Sequence, residues 1–158
     1  MPPHEIDIKR EALTLLAHCR TASLATVDAD GNPHAANIQF AYDDDLNLYY
    51  VSSPDAAHSR HIALASNPAV AVTVYDHHDS EPALIHGLQL HAHATAVTDA
   101  VERGRVLTLY TARFPFITTD PKLAAAVERQ NFYKLTPTWL RLIDNRRGFG
   151  WKAEMQLD

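Results

Sequence analysis

The stretch Ala22-Ser23-Leu24-Ala25-Thr26-Val27-Asp28-Ala29-Asp30-Gly31-Asn32-Pro33-His34 decides the reading of the fold. Two strand-like runs, Ala22 to Val27 and Pro33 to Phe40, flank a short polar segment in which Gly31 supplies the left-handed residue of a tight hairpin loop. Asp43-Asp44-Asp45 cannot pack in a core and marks a second turn. Beyond it, Leu46 to Ser52 reads as a third strand, with Tyr49 and Tyr50 on opposite faces. Three meandering antiparallel strands are expected.

Upstream of the hairpin, residues 5 to 19 place Ile8, Ala12, Leu15, Leu16 and Cys19 on one stripe of an amphipathic helix. Downstream, Ser53-Pro54-Asp55 reads as a helix start, with a capping hydroxyl, a proline at the first position and an acid in the first turn. That helix should end near Asn67-Pro68. Ala69 to Tyr75 is a β-branched strand, Asp76 to Ser80 a polar loop, and Leu84 to Val97 a long strand. Asp99 caps a helix to about Thr111, and a short helix opens at Asp120-Pro121. A strand over Tyr133 to Ile143 and an extended segment over Phe149 to Met155 complete six or seven strands and three or four helices. Hairpin-joined strands with helices inserted singly fit an α+β, mainly β antiparallel barrel, because a parallel sheet needs a crossover between each strand pair. No repeat or linker divides residues 1–158, so one domain is expected.

Composition narrows the function. With 19 acidic and 14 basic residues the net charge is −5, and the absence of a Lys/Arg run argues against nucleic acid, whose backbone is bound by several cations acting together. No window reaches the ~18 consecutive apolar residues of a spanning helix, so no membrane partner is expected. The opening Met1-Pro2-Pro3-His4-Glu5 lacks the pattern of a secretory signal, and the expected location is cytoplasmic. The single Cys19 allows no internal disulfide and, on an apolar stripe, reads as a packing residue.

The most informative chemistry lies at Tyr50-Val51-Ser52-Ser53-Pro54-Asp55 and the following His58-Ser59-Arg60-His61. A helix N-terminus presents unpaired N–H groups and a partial positive charge, Ser52 and Ser53 add hydroxyls, and Arg60 brings a fork of donors to phosphate oxygens. The plain alternative is a capped surface helix with one solvated arginine.

These residues resemble the pyridoxamine 5′-phosphate oxidase-like superfamily of FMN-binding split β-barrels. The resemblance rests on the serine-rich turn, Arg60, Asn67-Pro68, the first hairpin and Gly87-Leu88-Gln89-Leu90. Arg113-Phe114-Pro115 and Gly148-Phe149-Gly150-Trp151-Lys152 are similar to the small YhbP-like branch. The resemblance implies an antiparallel split β-barrel with flanking helices, a homodimer with FMN at its interface, and a small-molecule substrate. It places Arg60, Ser52 and Ser53 at the FMN phosphate, with His58 as an additional donor. Asn37, Ile38 and Gln39 fall on the strand whose backbone faces the polar edge of the flavin, Gln89 at a position that reaches the flavin, and Trp151 or Phe149 where the partner chain contributes. Ser59 stands where many members carry the first of two adjacent cations. The chain also lacks the C-terminal Arg/His pattern that grips the pyridoxal substrate, so a true pyridoxamine phosphate oxidase is not expected. The leading expectation is a flavin-dependent oxidoreductase, and the alternative is a protein that holds flavin, haem or pyridoxal phosphate without turnover.

Under either reading the cofactor carries the chemistry, and no Gly-x-Ser-x-Gly elbow, Walker loop or Gly-x-Gly-x-x-Gly turn is present. Ten histidines in 158 residues keep haem in view: His91 and His93 share a strand face, while His86 has the opposite parity and joins them only across a bulge. No resident metal is expected. Arg113-Phe114-Pro115-Phe116 reads as a solvated turn between helices, the alternative being that Arg113 faces the active cleft.

Overall fold

A computed structural model describes residues 6–65, 68–76 and 84–158 of the chain. Met1 to Glu5, Asn67 and the His77-His78 pair lie outside the described residues. Helix α1 (Ile8–His18) is opened by Asp7, whose carboxylate accepts from the N–H of Arg10 at 3.0 Å, and it buries Ala12, Leu15 and Leu16. Strands β1 (Thr21–Val27) and β2 (Pro33–Gln39) form the expected hairpin, paired from Thr21–Gln39 to Val27–Pro33. Asp28 holds its loop by accepting from the N–H groups of Asp30 and Asn32, and Gly31 takes φ +85°.

The second turn repeats this device. Asp43 accepts from the N–H groups of Asp45 and Asn47, both at 3.0 Å, and Leu46 adopts φ 66°. Leu46 therefore belongs to the turn and not to the third strand. The pairing strands are β3 (Ala41–Tyr42) and β4 (Leu48–Ser52). Tyr49 and Tyr50 do face opposite ways, each into a different apolar cluster.

Next come α2 (Ala57–Leu64), β5 (Ala69–Tyr75), β6 (His86–Ala96), α3 (Ala100–Arg113), α4 (Phe116–Thr119), α5 (Pro121–Arg129), β7 (Asn131–Asp144) and β8 (Lys152–Gln156). Among the described residues, eight strands and five α-helices exceed the expected numbers because β3 and α4 are too short to carry a periodic pattern. One antiparallel sheet runs β2-β1-β5-β6-β7-β4-β3, with β8 also pairing β7. This corrects the expected three-strand meander: β4 pairs β3 and β7, not β2. Curling of the sheet brings β2 and β4 near each other, leaving a split between them.

Pro137 lies inside the long β7. The β4 ladder ends at Leu135 and the β8 ladder begins at Trp139, so the missing N–H falls where β7 has a neighbour on one side only. The β6 ladder shifts register there too, passing from His91–Trp139 to Ala92–Pro137. Gly87 is needed for close strand approach, since a Cβ would stand 2.7 Å from the Val74 carbonyl oxygen.

The concave face of the sheet holds the main core, with Leu24, Val72, Val74, Leu88, Leu90, Leu140 and Leu142 buried beneath α1 and α2. A second cluster packs α3 to α5 over Tyr49, Val97 and Phe132. Arg113 joins the two regions: it donates to the carbonyls of Leu16 and Cys19 and lies over the rings of Phe40 and Tyr42. Arg113 is thus a half-buried clamp and not a solvated side chain, because its guanidinium satisfies the carbonyls left open at the end of α1, while Pro115 and Phe116 of the same segment stay exposed. Cys19 is buried and free, and burial pushes its thiol up to about 11. No helix among the described residues is long and apolar enough to cross a membrane.

Candidate functional site

The expected helix start at Ser53 is displaced. The hydroxyl of Ser53 accepts from the N–H of Asp55 at 3.2 Å, which closes a local turn, and the helix opens only at Ala57. Its N-cap is Ala56, in extended conformation and without a side chain to accept from the first turn, which also contains no acid. The first N–H groups of α2 are therefore left without a capping acceptor.

Around this start, Ser52 at the end of β4 meets His58, Oγ to Nε2 at 3.0 Å. Arg60 is exposed and forms no ion pair or side-chain hydrogen bond with a described residue. His58 faces two further imidazoles. Its ring lies 6.5 Å from that of His34 on β2, which in turn lies 5.6 Å from His61, and His61 Nδ1 is 2.8 Å from the Thr26 hydroxyl on β1. Burial, and then the neighbouring His34 and His61, hold His58 below the ordinary imidazole value. The cluster thus sits where α2 covers the split between β2 and β4.

The remaining residues occupy the convex face. Pairing across six strands lines up Asn37, Ser23, Thr73, Gln89, Arg141 and Glu154 in one row. Asn37 Oδ1 accepts from Ser23 at 3.1 Å, Gln89 Oε1 accepts from Arg141 at 3.2 Å, and Arg141 pairs with Glu154 at 2.7 Å. A second row, Ala35, Ala25, Ala71, His91 and Trp139, runs beside it. Ala25, Ala71 and His91 of this row, with Val27, Ala69 and His93, line a groove of about 480 Å³.

Ile38 is buried on the concave face. The Asp28–Asn32 and Phe40–Arg20 hydrogen bonds fix the phase of the hairpin ladder, so the backbone groups of Ile38 point at β1 while those of Asn37 and Gln39 point away from it. The Gln39 carbonyl accepts from Tyr110 at 3.2 Å. Trp151 folds back on its own chain, with the guanidinium of Arg147 5.2 Å above its ring. Phe149, between two left-handed glycines, is fully exposed.

The structure therefore gathers Ser52, Ser53, His58 and Arg60 at the start of α2, and puts Asn37 and Gln89 in the convex row. His34, His61 and Thr26 were not anticipated. Their signal lay in parity: Thr26 and His34 face each other in the hairpin, and His61 lies one turn after His58. His86 is buried far along β6, 3.5 Å from Asp76 and 3.2 Å from Arg146, apart from exposed His91 and His93.

With the fold and this geometry in place, comparison with known proteins defines the class. A family model described as pyridoxamine 5′-phosphate oxidase matches residues 8–144. The chain belongs to that family and has its split-barrel fold. No curated protein matches. Among solved structures, a haem-binding protein from Mycobacterium smegmatis superposes with a TM-score of 0.78 at 16% identity, over 98% of this chain and 60% of that one. HutZ, a haem storage protein from Vibrio cholerae, gives 0.70 at 22% identity, over 89% and 96% of the two chains. Atu2129 from Agrobacterium tumefaciens, of unknown function, gives 0.71 at 21% identity over 89% of this chain. The chain spans only 58% of Atu2129. At these identities the likenesses establish the fold.

Proposed function

We propose that this chain is an FMN-binding protein that acts as a homodimer and performs a flavin-dependent redox reaction on a small molecule. The observation that carries this reading is the joint between β4 and α2, where an uncapped helix start meets Ser52, Ser53, His58 and the unpaired Arg60. Donors of this kind suit a phosphate dianion: a helix start contributes aligned N–H groups, and arginine a charged fork. The residues present therefore fit the phosphate of FMN.

Asn37 and Gln39 present backbone groups at the sheet edge, and Gln89 offers an amide from the convex row; these are the groups that would orient the ring. Bound flavin supplies the electron transfer, while the chain binds the phosphate, sets the ring's surroundings and limits what approaches it. The apolar strip formed by Ala25, Ala35, Ala69, Ala71 and Val27, all exposed, suits burial against a second copy of the sheet. Phe149 is free to reach such a partner, whereas Trp151 is engaged by Arg147. The lone reduced Cys19 accords with a cytoplasmic location.

Haem is the second reading, favoured by the groove beside exposed His91 and His93 and by the haem-binding proteins among the structural neighbours. An absorbance spectrum of protein purified without added cofactor, then after FMN addition and gel filtration, separates the two. Flavin bands are expected. A Soret band transfers the function to the histidine strand, and a colourless protein that rejects FMN overturns the flavin reading. Bleaching of bound flavin by NADH or NADPH with turnover on an acceptor distinguishes an enzyme from a carrier.

A further inference from the structure

Three imidazoles crowded together where α2 meets β2 differ in kind from a pair of permanently charged side chains. His34 arrives on β2, His58 and His61 on α2, with adjacent ring centroids 6.5 and 5.6 Å apart. Two of the rings meet a neutral hydroxyl: Ser52 for His58 and Thr26 for His61. Among the described residues, no carboxylate forms an ion pair with any of the three. Behind them stand Tyr50 of β4, whose ring is 5.9 Å from His58, and Tyr133 of β7, stacked on Tyr50. Burial holds the Tyr50 hydroxyl well above the ordinary phenol value, so it supplies no negative charge. Asp28 of the hairpin loop is the acid that feels His61, and it is half-buried. Asp55 and Arg60 flank the helix start from solvent.

A second proton on this cluster would set two cations about 6 Å apart, and burial already disfavours the charged form of His58. An anion beside the rings would offset that repulsion and favour the imidazolium. We infer that His34, His58 and His61 form a proton-linked phosphate site: binding of a phosphate monoester draws a proton onto the cluster, which thereby supplies the second positive charge beside Arg60. The assignment rests on the proposed phosphate position and specifies its chemistry. Its balance is simple: ligand dianion plus one proton from solvent gives the bound complex, with the proton on an imidazole and no covalent bond changed.

The sign follows from linkage. A ligand that favours the imidazolium raises the imidazole pKa in the complex, so affinity rises as pH falls toward that value, by at most about tenfold per pH unit for one proton. The gain ends near pH 6, where the phosphate itself takes up its second proton. Riboflavin, which lacks the phosphate, should bind with no such slope.

The test has two arms. Calorimetric titration of the full chain with FMN and with riboflavin between pH 8 and pH 6.5, in two buffers of different ionisation enthalpy, reads proton uptake directly. Expected are uptake approaching one proton with FMN, none with riboflavin, and a slope that flattens in His58→Gln but persists in Thr108→Ala, an exposed residue of α3 outside the site. FMN binding with no uptake and no slope overturns the proton linkage and leaves the flavin reading standing. In the second arm, imidazole NMR titrations are run with and without inorganic phosphate at constant ionic strength. The midpoint of His58 should rise by at least half a pH unit with phosphate. Absence of FMN binding with that rise intact rejects the flavin reading alone, and absence of both rejects the phosphate site.

Discussion

Helices α3 and α5 begin with Asp99 and Asp120, whose carboxylates accept from the N–H groups of Glu102 at 2.8 Å and Lys122 at 2.9 Å. Helix α2 begins with Ala56, whose side chain has no acceptor to offer. The same sheet thus carries two kinds of helix start. In α3 and α5 the donors are consumed internally, and a cap of this sort is worth about 1 kcal/mol of stability. In α2 the equivalent donors stay open, the nearest hydroxyl that could close them, Ser53, is spent on its own turn, and Arg60 stands unpaired beside them. A helix that stabilises itself and a helix that leaves room for an anion differ by one side chain at the cap position.

The largest expected effect comes from removing the charge that the open start leaves free. Arg60→Ala should weaken FMN binding by about 1.5–3 kcal/mol, the range for hydrogen bonds to a charged group, with the melting temperature unchanged because Arg60 touches no described partner. Equal affinities in a fluorescence titration would take Arg60 out of the site.

Converting α2 into the other kind of start sharpens the contrast. Ala56 already has the extended φ −61° and ψ 146° of a cap residue, so Ala56→Asp should add about 0.5–1 kcal/mol of stability. The new carboxylate would occupy the donors and repel a dianion, so FMN affinity should fall at least tenfold. Stability and affinity moving in the same direction would end the comparison. Asp120→Ala is the mirror experiment: a loss of about 1 kcal/mol by denaturant unfolding, with FMN affinity untouched.

How far these features could be read in advance depended on range. The stripe of α1, the Gly31 hairpin, the opposite facing of Tyr49 and Tyr50 and the Asp caps of α3 and α5 are local patterns, and each is where its spacing puts it. The partner of β4 was not legible, because alternation fixes which side of a strand is buried but not which distant strand lies beside it. Ser53 misled for a different reason: a hydroxyl two residues before an N–H serves a turn as readily as a helix cap. The histidine cluster required two long-range facts at once, the hairpin register that aims His34 and the packing of α2 that brings His58 to it.

A smaller effect concerns the convex row. Gln89→Ala should shift the spectrum or potential of bound flavin more than its affinity, since Arg141 holds the amide in place and a neutral donor contributes little net binding. Identical spectra would detach the row from the ring and leave the α2 start as the whole of the site.

The smallest effect is a pH dependence of the unliganded protein. His58 sits below its ordinary value of 6.5 in the folded chain and returns to it on unfolding. Between those two values the unfolded state binds the extra proton, so the contribution is intact above about pH 6.5 and is lost as pH falls toward the folded value. His86, held low by burial and then by Arg146, acts with the same sign. Melting curves should therefore fall in temperature from pH 7 to pH 5.5, and His58→Gln should remove part of the decline. Phosphate should oppose it in the wild-type chain, because an anion at the open helix start makes the imidazolium welcome, and should do so far less in Ala56→Asp, where the cap has taken the anion's place.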